Sequence, residues 1–231
     1  VHTFQFLEGE VLLIDKPLDW TSFDAVNKLR YAIKKHLNVK KIKVGHAGTL
    51  DPKATGLLII CTGKKTKEID QLMGLVKEYT GTIKLGATTP SYDLETEENE
   101  QFSTAHITEA LAQQVALTFI GEQQQVPPLF SAKKIDGVRA YEHARKGSDM
   151  ELKANTVSIH EFEITQFSPT AIDFRIVCSK GTYIRSVAYD FGKKLNSGGY
   201  LTALRRTKIG DFSVDNAFSI DGFIQSLNAS V

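Results

Sequence analysis

The chain has 231 residues, 42% of them hydrophobic and 24% charged, with a net charge of +1, which suits a globular protein long enough to bury a sizeable core. No run approaches the ~18 apolar residues needed to span a bilayer, and the first residues lack the basic-then-apolar pattern of a signal peptide, so the expectation is a cytoplasmic protein that does not associate with membranes. Cys61 and Cys178 lie far apart in apolar runs and read as buried free thiols rather than as a disulfide or zinc pair.

The near-zero net charge hides a segregation. Between Asp24 and Lys67 eleven lysines and arginines face only Asp24 and Asp51, whereas Ser91 to Glu109 carries six acidic residues and no lysine or arginine. The basic segment is either a phosphate-binding surface or a solvated helix face.

In chain order, Val11–Ile14 reads as a buried strand ending at Asp15-Lys16-Pro17. Thr21 or Ser22 caps a helix to about Leu37, with Phe23, Val26, Leu29 and Ile33 on one face. A glycine-rich loop from Gly45 to Gly56 leads into a strand, Leu57–Cys61, and Thr66 caps a short helix through Ile69, Leu72 and Met73. Tyr79–Leu85 alternates as a strand, and a helix spans about Thr108 to Phe119. Phe130–Val138 reads as a hairpin around Asp136-Gly137, with a helix from Ala140 to Lys146 after it. Two long strands, Thr156–Phe167 and Ala171–Cys178, precede a helix from Ile184 to Leu195, a strand around Leu201–Ile209 and a short helix after Ser219. Strands and helices mixed in this way predict an α+β fold on a large sheet. No repeat or linker divides the chain, so a single domain over residues 1–231 is expected.

Familiar chemistries are absent from the pattern. Gly63-Lys64-Lys65-Thr66 fails as a nucleotide loop, because Leu58 and Lys65 stand where glycine and a hydroxyl residue are needed. There is no dinucleotide fingerprint, nucleophile elbow or zinc helix, and the six histidines do not cluster with cysteines, so no metal site is expected. What remains is Asp51, a solitary carboxylate on a loop stiffened by Pro52, beside a basic surface. By itself it is a site carboxylate or an Asx turn. Tyr183 and Arg185 sit where a strand hands over to a helix; taken alone they read as a core aromatic and a surface cation, and Tyr79 as packing.

Together these segments resemble the TruB family of tRNA pseudouridine synthases. The resemblance runs almost end to end, through Val11–Pro17, Gly45–Leu58, Lys77–Tyr79, Tyr141–Gly147, Cys178–Arg185 and Leu204–Arg206. It implies a pseudouridine-synthase fold, with a large mixed and antiparallel sheet, flanking helices and a central RNA-binding cleft. The implied activity is cofactor-free isomerisation of uridine to pseudouridine in the T-loop of tRNA, at position 55 of the tRNA, by a monomer acting on the T-arm. Motif by motif, Asp51 is the catalytic aspartate, attacking C1′ or removing a proton. Tyr79 stacks on the flipped base, Arg185 pairs with Asp51, Tyr183 and Leu204 line the pocket, and His46 packs where the base has left. Lys40, Lys41, Lys43 and Lys64 become candidate contacts to the RNA backbone.

Ala47 and Thr49 depart from the family pattern, standing where Thr and Ala are frequent. The expectation is a catalytic-domain-only member without the C-terminal PUA domain, which also argues against the guide-RNA-dependent box H/ACA enzymes. The alternatives are a tRNA-binding or folding protein without catalysis, and the same isomerisation on another RNA.

Overall fold

The structure is a computed structural model that describes residues 4–130, 134–135, 138–139 and 152–228. In chain order it forms β1 (Val11–Lys16), α1 (Ser22–Leu37), β2 (Val44–His46), β3 (Thr55–Thr62), α2 (Ile69–Met73) and β4 (Lys77–Leu85). The short β5 (Ala87–Thr88) and β6 (Glu100–Gln101) pair with each other, and α3 (Glu109–Leu117), β7 (Gly121–Gln125), β8 (Lys134–Ile135) and β9 (Val138–Arg139) follow. Then come β10 (Asn155–Ser168), β11 (Ala171–Cys178), α4 (Ile184–Lys194), β12 (Gly199–Ile209), β13 (Phe212–Ser213), β14 (Phe218–Ser219) and α5 (Ile220–Asn228). The chain divides into two compact units, Val1–Tyr79 with Arg205–Val231, and Thr80–Leu204.

In the first unit the strand order is β14-β1-β3-β12, with β2 also on β3 and β13 on β12. Pairing is mixed: β1 and β3 are antiparallel, whereas β3 runs parallel to β12 and β1 to β14. The apolar run of β3 is continuous because both of its faces are covered. Leu58 and Ile60 meet α1 and α5 through Ala25, Val26, Leu29, Ile33, Ile220, Phe223 and Leu227. Leu57, Ile59 and Cys61 face the other way, against Ala47 and Ile209. Burying each large side chain fully contributes about 1.5–3 kcal/mol. Burial also pushes the Cys61 thiol up to about 11, which keeps it unreactive.

Helix α1 begins where the sequence predicts. Thr21 accepts from the Asp24 N–H at 3.0 Å and the Asp24 carboxylate accepts from the Thr21 N–H at 2.9 Å, a reciprocal cap. Its buried stripe differs from expectation: Phe23 is 64% exposed, and Ser22 and Ala25 turn inward with Val26, Leu29 and Ile33. The stripe is centred on Leu29, which leaves Phe23 on its edge. Thr66 is not a cap either. Its hydroxyl donates to the Gly63 carbonyl inside a 3-10 turn over Gly63–Glu68, and α2 starts at Ile69 without a side-chain cap.

In the second unit β11 lies between β4 and β10, with β7 on the far side of β10. The alternation of β11 buries Ile172, Phe174, Ile176 and Cys178. Phe162 of β10 meets Phe119, after α3, and Phe191 of α4, with ring centroids 5.7 and 5.5 Å away. Strand β7 is absent from the sequence reading because Gly-Glu-Gln-Gln-Gln has no apolar alternation; it pairs β10 through its backbone. The predicted hairpin has its strand residues in β8 and β9, antiparallel as expected. Its Asp136-Gly137 turn, the expected helix Ala140–Lys146 and the Tyr141–Gly147 segment lie outside the described residues. Among the described residues no helix is long and apolar enough to cross a membrane.

Candidate active site

The loop that carries Asp51 joins β2 to β3 and is fixed from several sides. On entry the Ala47 N–H donates to the Ile59 carbonyl at 2.9 Å. At Leu50 the backbone is held at both ends by one side chain: the Leu50 N–H donates to Ser22 Oγ at 2.9 Å, and that hydroxyl donates to the Leu50 carbonyl at 3.2 Å. Beyond the carboxylate, the Asp19 N–H reaches the Pro52 carbonyl at 2.8 Å, and Lys53 Nζ pairs with the Asp19 carboxylate at 2.7 Å. The turn at Asp51 is closed by the backbone, with the Ala54 N–H donating to the Asp51 carbonyl at 3.0 Å. Asp51 itself is half-buried, between a buried Leu50 and a buried Ala54.

Beneath the loop lie two buried cations. Arg206 is 1% exposed, and its guanidinium donates to three backbone carbonyls: Leu57 at 2.8 Å, Gly48 at 3.1 Å and Thr49 at 3.3 Å. Lys16 is fully buried, and its ammonium donates to the carbonyls of Pro17 at 2.9 Å and Trp20 at 2.6 Å. Burial pushes Lys16 down to about 8; the nearby Asp51 carboxylate opposes the fall, and the Arg206 cation adds to it. The sequence reading passed over both residues as site groups. Lys16 had a legible signal, since it shares the inward parity of Leu12 and Ile14 on β1. Arg206 had none, because its partners are carbonyls about 150 residues away. Beside it Arg205 makes a forked pair with Asp15, at 3.0 and 2.7 Å.

The other expected residues of this unit fall on its strands. Tyr79 is buried on β4, 8% exposed. His46 ends β2, where burial, reinforced by the Arg206 cation and opposed by a bond to the Gly48 backbone, lowers it below the usual imidazole range. Lys40, Lys41, Lys43 and Lys64 line one groove of about 780 Å³. Lys64 is also paired with Glu8.

Tyr183, Arg185 and Leu204 belong to the second unit. Tyr183 precedes α4 and is held by Gln125: its N–H donates to Gln125 Oε1 at 2.8 Å and its carbonyl accepts from Gln125 Nε2 at 3.1 Å. Leu204 is half-buried on β12. Arg185 is 3% exposed, so it is no surface cation. Its guanidinium donates to the carbonyls of Phe130 at 2.7 Å and Ser91 at 3.3 Å, and Nε lies 3.9 Å from the Asp93 carboxylate. Asp93 is 4% exposed and also accepts from Ser91 Oγ at 2.6 Å and from the Glu95 N–H at 2.9 Å. Counted in the sequence as one charge of an acidic surface, it is a buried counter-ion.

A protein-family model described as TruB family pseudouridylate synthase (N terminal domain) matches residues 34–184. The chain belongs to this family. It is 62% identical to tRNA pseudouridine synthase B of Flavobacterium johnsoniae over 224 residues, 96% of this chain and 98% of that protein. It is 55% identical to the enzyme of the same name from Phocaeicola vulgatus over 223 residues, 96% and 95% of the two chains. Among solved structures it resembles a chain of a Cbf5-Nop10-Gar1 complex, with 28% identity and a TM-score of 0.71. That match covers 98% of this chain and 57% of the other, so this TruB-family chain spans just over half its length. The pseudouridine-synthase fold expected from the sequence is thus shown. The matched region contains the whole Asp51 loop, Tyr79 and Tyr183, and ends at Ile184, the first residue of α4.

Proposed function

We propose that this pseudouridylate synthase isomerises a uridine in the T-loop of tRNA, with Asp51 as the reacting carboxylate. The observation that carries the reading is the Asp51 loop itself, tied down through Leu50, Pro52 and Ala54 and seated over Lys16 and Arg206. Lys16 and Arg206 place two positive charges under the loop that carries this carboxylate, and a nucleophile or proton acceptor there would carry the opposite charge. A pinned backbone also spares the reorganisation that would otherwise precede reaction.

The chemistry balances without a co-reactant. The C1′–N1 bond breaks, the uracil turns, C1′ bonds to C5, and the proton displaced from C5 leaves as N1 gains one. Asp51 either attacks C1′, so that the ester must later reopen, or takes the proton that lets the glycosidic bond break. In this scheme Tyr79 stacks on the flipped base and Arg185 pairs with Asp51. Tyr183 and Leu204 line the pocket, which keeps the free uracil from escaping. His46, held neutral by burial, fills the place the base leaves, offsetting a few kcal/mol of lost stacking. Lys40, Lys41, Lys43 and Lys64 contact phosphates and so supply affinity rather than sequence reading. The scheme carries with it a cytoplasmic monomer that meets tRNA through its T-arm.

The test is incubation with an unmodified T-arm stem-loop, followed by mapping of pseudouridine. The native chain is expected to modify one uridine of the loop, and Asp51→Asn to abolish turnover while RNA binding remains. Normal turnover by Asp51→Asn would sink the scheme.

A further inference from the structure

Lys77 is the first residue of β4 and shares the inward parity of Tyr79, two positions on. It is buried, and a charge at such a position is tolerated only where the fold supplies acceptors. Two of its acceptors are backbone carbonyls just upstream. The ammonium donates to the Met73 carbonyl, at the C-terminal end of α2, and to the Leu75 carbonyl at 2.6 Å.

The end of α2 explains why that donor is needed. The Gly74 N–H serves the carbonyls of Asp70, Gln71 and Leu72, and the Met73 carbonyl, one of the groups that every helix end orphans, is met by Lys77. Apolar burial does little to hold the connection from α2 to β4, since Met73 and Val76 are both exposed. Hydrogen bonds hold it instead. The Gly210 N–H donates to the Val76 carbonyl at 2.8 Å, and the Thr207 hydroxyl donates to the Glu78 carboxylate at 2.8 Å. Of these anchors only Lys77 lies on the same face of the strand as Tyr79. The two residues stand about 7 Å apart along the strand, so a shift of the first carries over to the ring of the second.

We infer that Lys77 is a positioning residue for Tyr79, its ammonium clamping the start of β4 to the end of α2 so that the ring is held where the flipped uracil is to stack. The inference rests on the stacking role proposed for Tyr79. Lys77 acts through the backbone it holds and takes no part in the chemistry. A ring displaced by about 1 Å costs up to about 100-fold in rate, whereas RNA contacts away from the pocket are unchanged, so the loss falls on kcat rather than on KM.

The test couples a rate to the state of the ring. Fluorotyrosine replaces the seven tyrosines, and the Tyr79 line in the fluorine NMR spectrum is the one absent from Tyr79→Phe. Lys77→Met is expected to shift or broaden that line alone. It is also expected to slow single-turnover pseudouridine formation on the T-arm stem-loop by about 10- to 100-fold and to leave the Kd for that RNA within about twofold. Lys77→Arg, which keeps a cation with several donors, is expected to recover the Tyr79 line and most of the rate. If Lys77→Met is unfolded at the assay temperature, Lys77→Gln, which keeps an N–H donor on a shorter arm, is read in the same way. A native rate in the variant, a slowed rate with the Tyr79 line unmoved, or a change spread over the other tyrosines overturns the inference. Native turnover by Tyr79→Leu would instead sink the stacking role, and the response of the Tyr79 line to Lys77→Met would still decide whether Lys77 places the ring.

Discussion

Replacing Arg206 by lysine keeps one positive charge beneath the Asp51 loop but removes the planar fork. In the native chain three guanidinium nitrogens meet the carbonyls of Leu57, Thr49 and Gly48 at 2.8, 3.3 and 3.1 Å, on a side chain only 1% exposed. An ammonium has three donors too, but they diverge from one atom on a shorter reach, so the variant is expected to lose two of the three contacts now made by separate guanidinium nitrogens. Each buried group so orphaned costs about 1–3 kcal/mol, so Arg206→Lys is expected to destabilise the fold by about 4 kcal/mol. For a chain of this length that is a fall in Tm of roughly 12 °C. Because Gly48 and Thr49 lead directly into Asp51, a loosened carboxylate should lower kcat more than it raises KM. A 1 Å misplacement alone can cost about 100-fold. Urea and thermal melts by circular dichroism measure the first effect, and single-turnover pseudouridine formation at a temperature where the variant is folded measures the second. A variant within about 0.5 kcal/mol of the native chain that turns over at the native rate would refute the assignment of Arg206 as the positioning residue of the loop.

Other substitutions test neighbouring features. Gly56 has φ of +107°, and a Cβ there would stand 2.3 Å from the Arg206 carbonyl oxygen and 2.8 Å from its nitrogen, both backbone atoms. Gly56→Ala should therefore cost more than about 3 kcal/mol in a urea melt, and a near-native midpoint would mean that β3 and β12 can separate. Asp93→Asn removes the counter-ion 3.9 Å from Arg185 Nε and is expected to cost about 3 kcal/mol and to slow turnover; an unchanged melt and rate would make Asp93 dispensable. His46 is held below its usual 6.5, so on acidification the unfolded chain takes up a proton that the folded chain refuses, and stability falls as pH drops through 6.5. Melts between about pH 7.5 and about pH 5 should show this slope flattened in His46→Gln, and an identical slope would place the titration elsewhere.

What the sequence made legible follows from the range of the interactions. Thr21 and Asp24 cap α1 through contacts three residues apart, and β11 buries every second residue, so both were readable from local pattern. Asp51 was readable as the lone carboxylate of a glycine-rich loop, and the motif resemblance carried the family. The loop's supports were not readable in the same way. Arg206 spends its donors on backbone carbonyls, which carry no residue identity, and β7 pairs through its backbone with side chains that show no alternation. Asp93 lies among five other acidic residues, and only the chain's return near Arg185 sets it apart as the buried one. Lys16 marks the boundary between the two kinds of residue. Its parity with Leu12 and Ile14 already placed an ammonium inside the core, and a charge there is tolerated only where the fold supplies acceptors. A charged residue in phase with a buried strand face and just before a proline is therefore legible as a buried cation, whereas its nearness to Asp51, which follows only after α1 and β2, is a product of the fold.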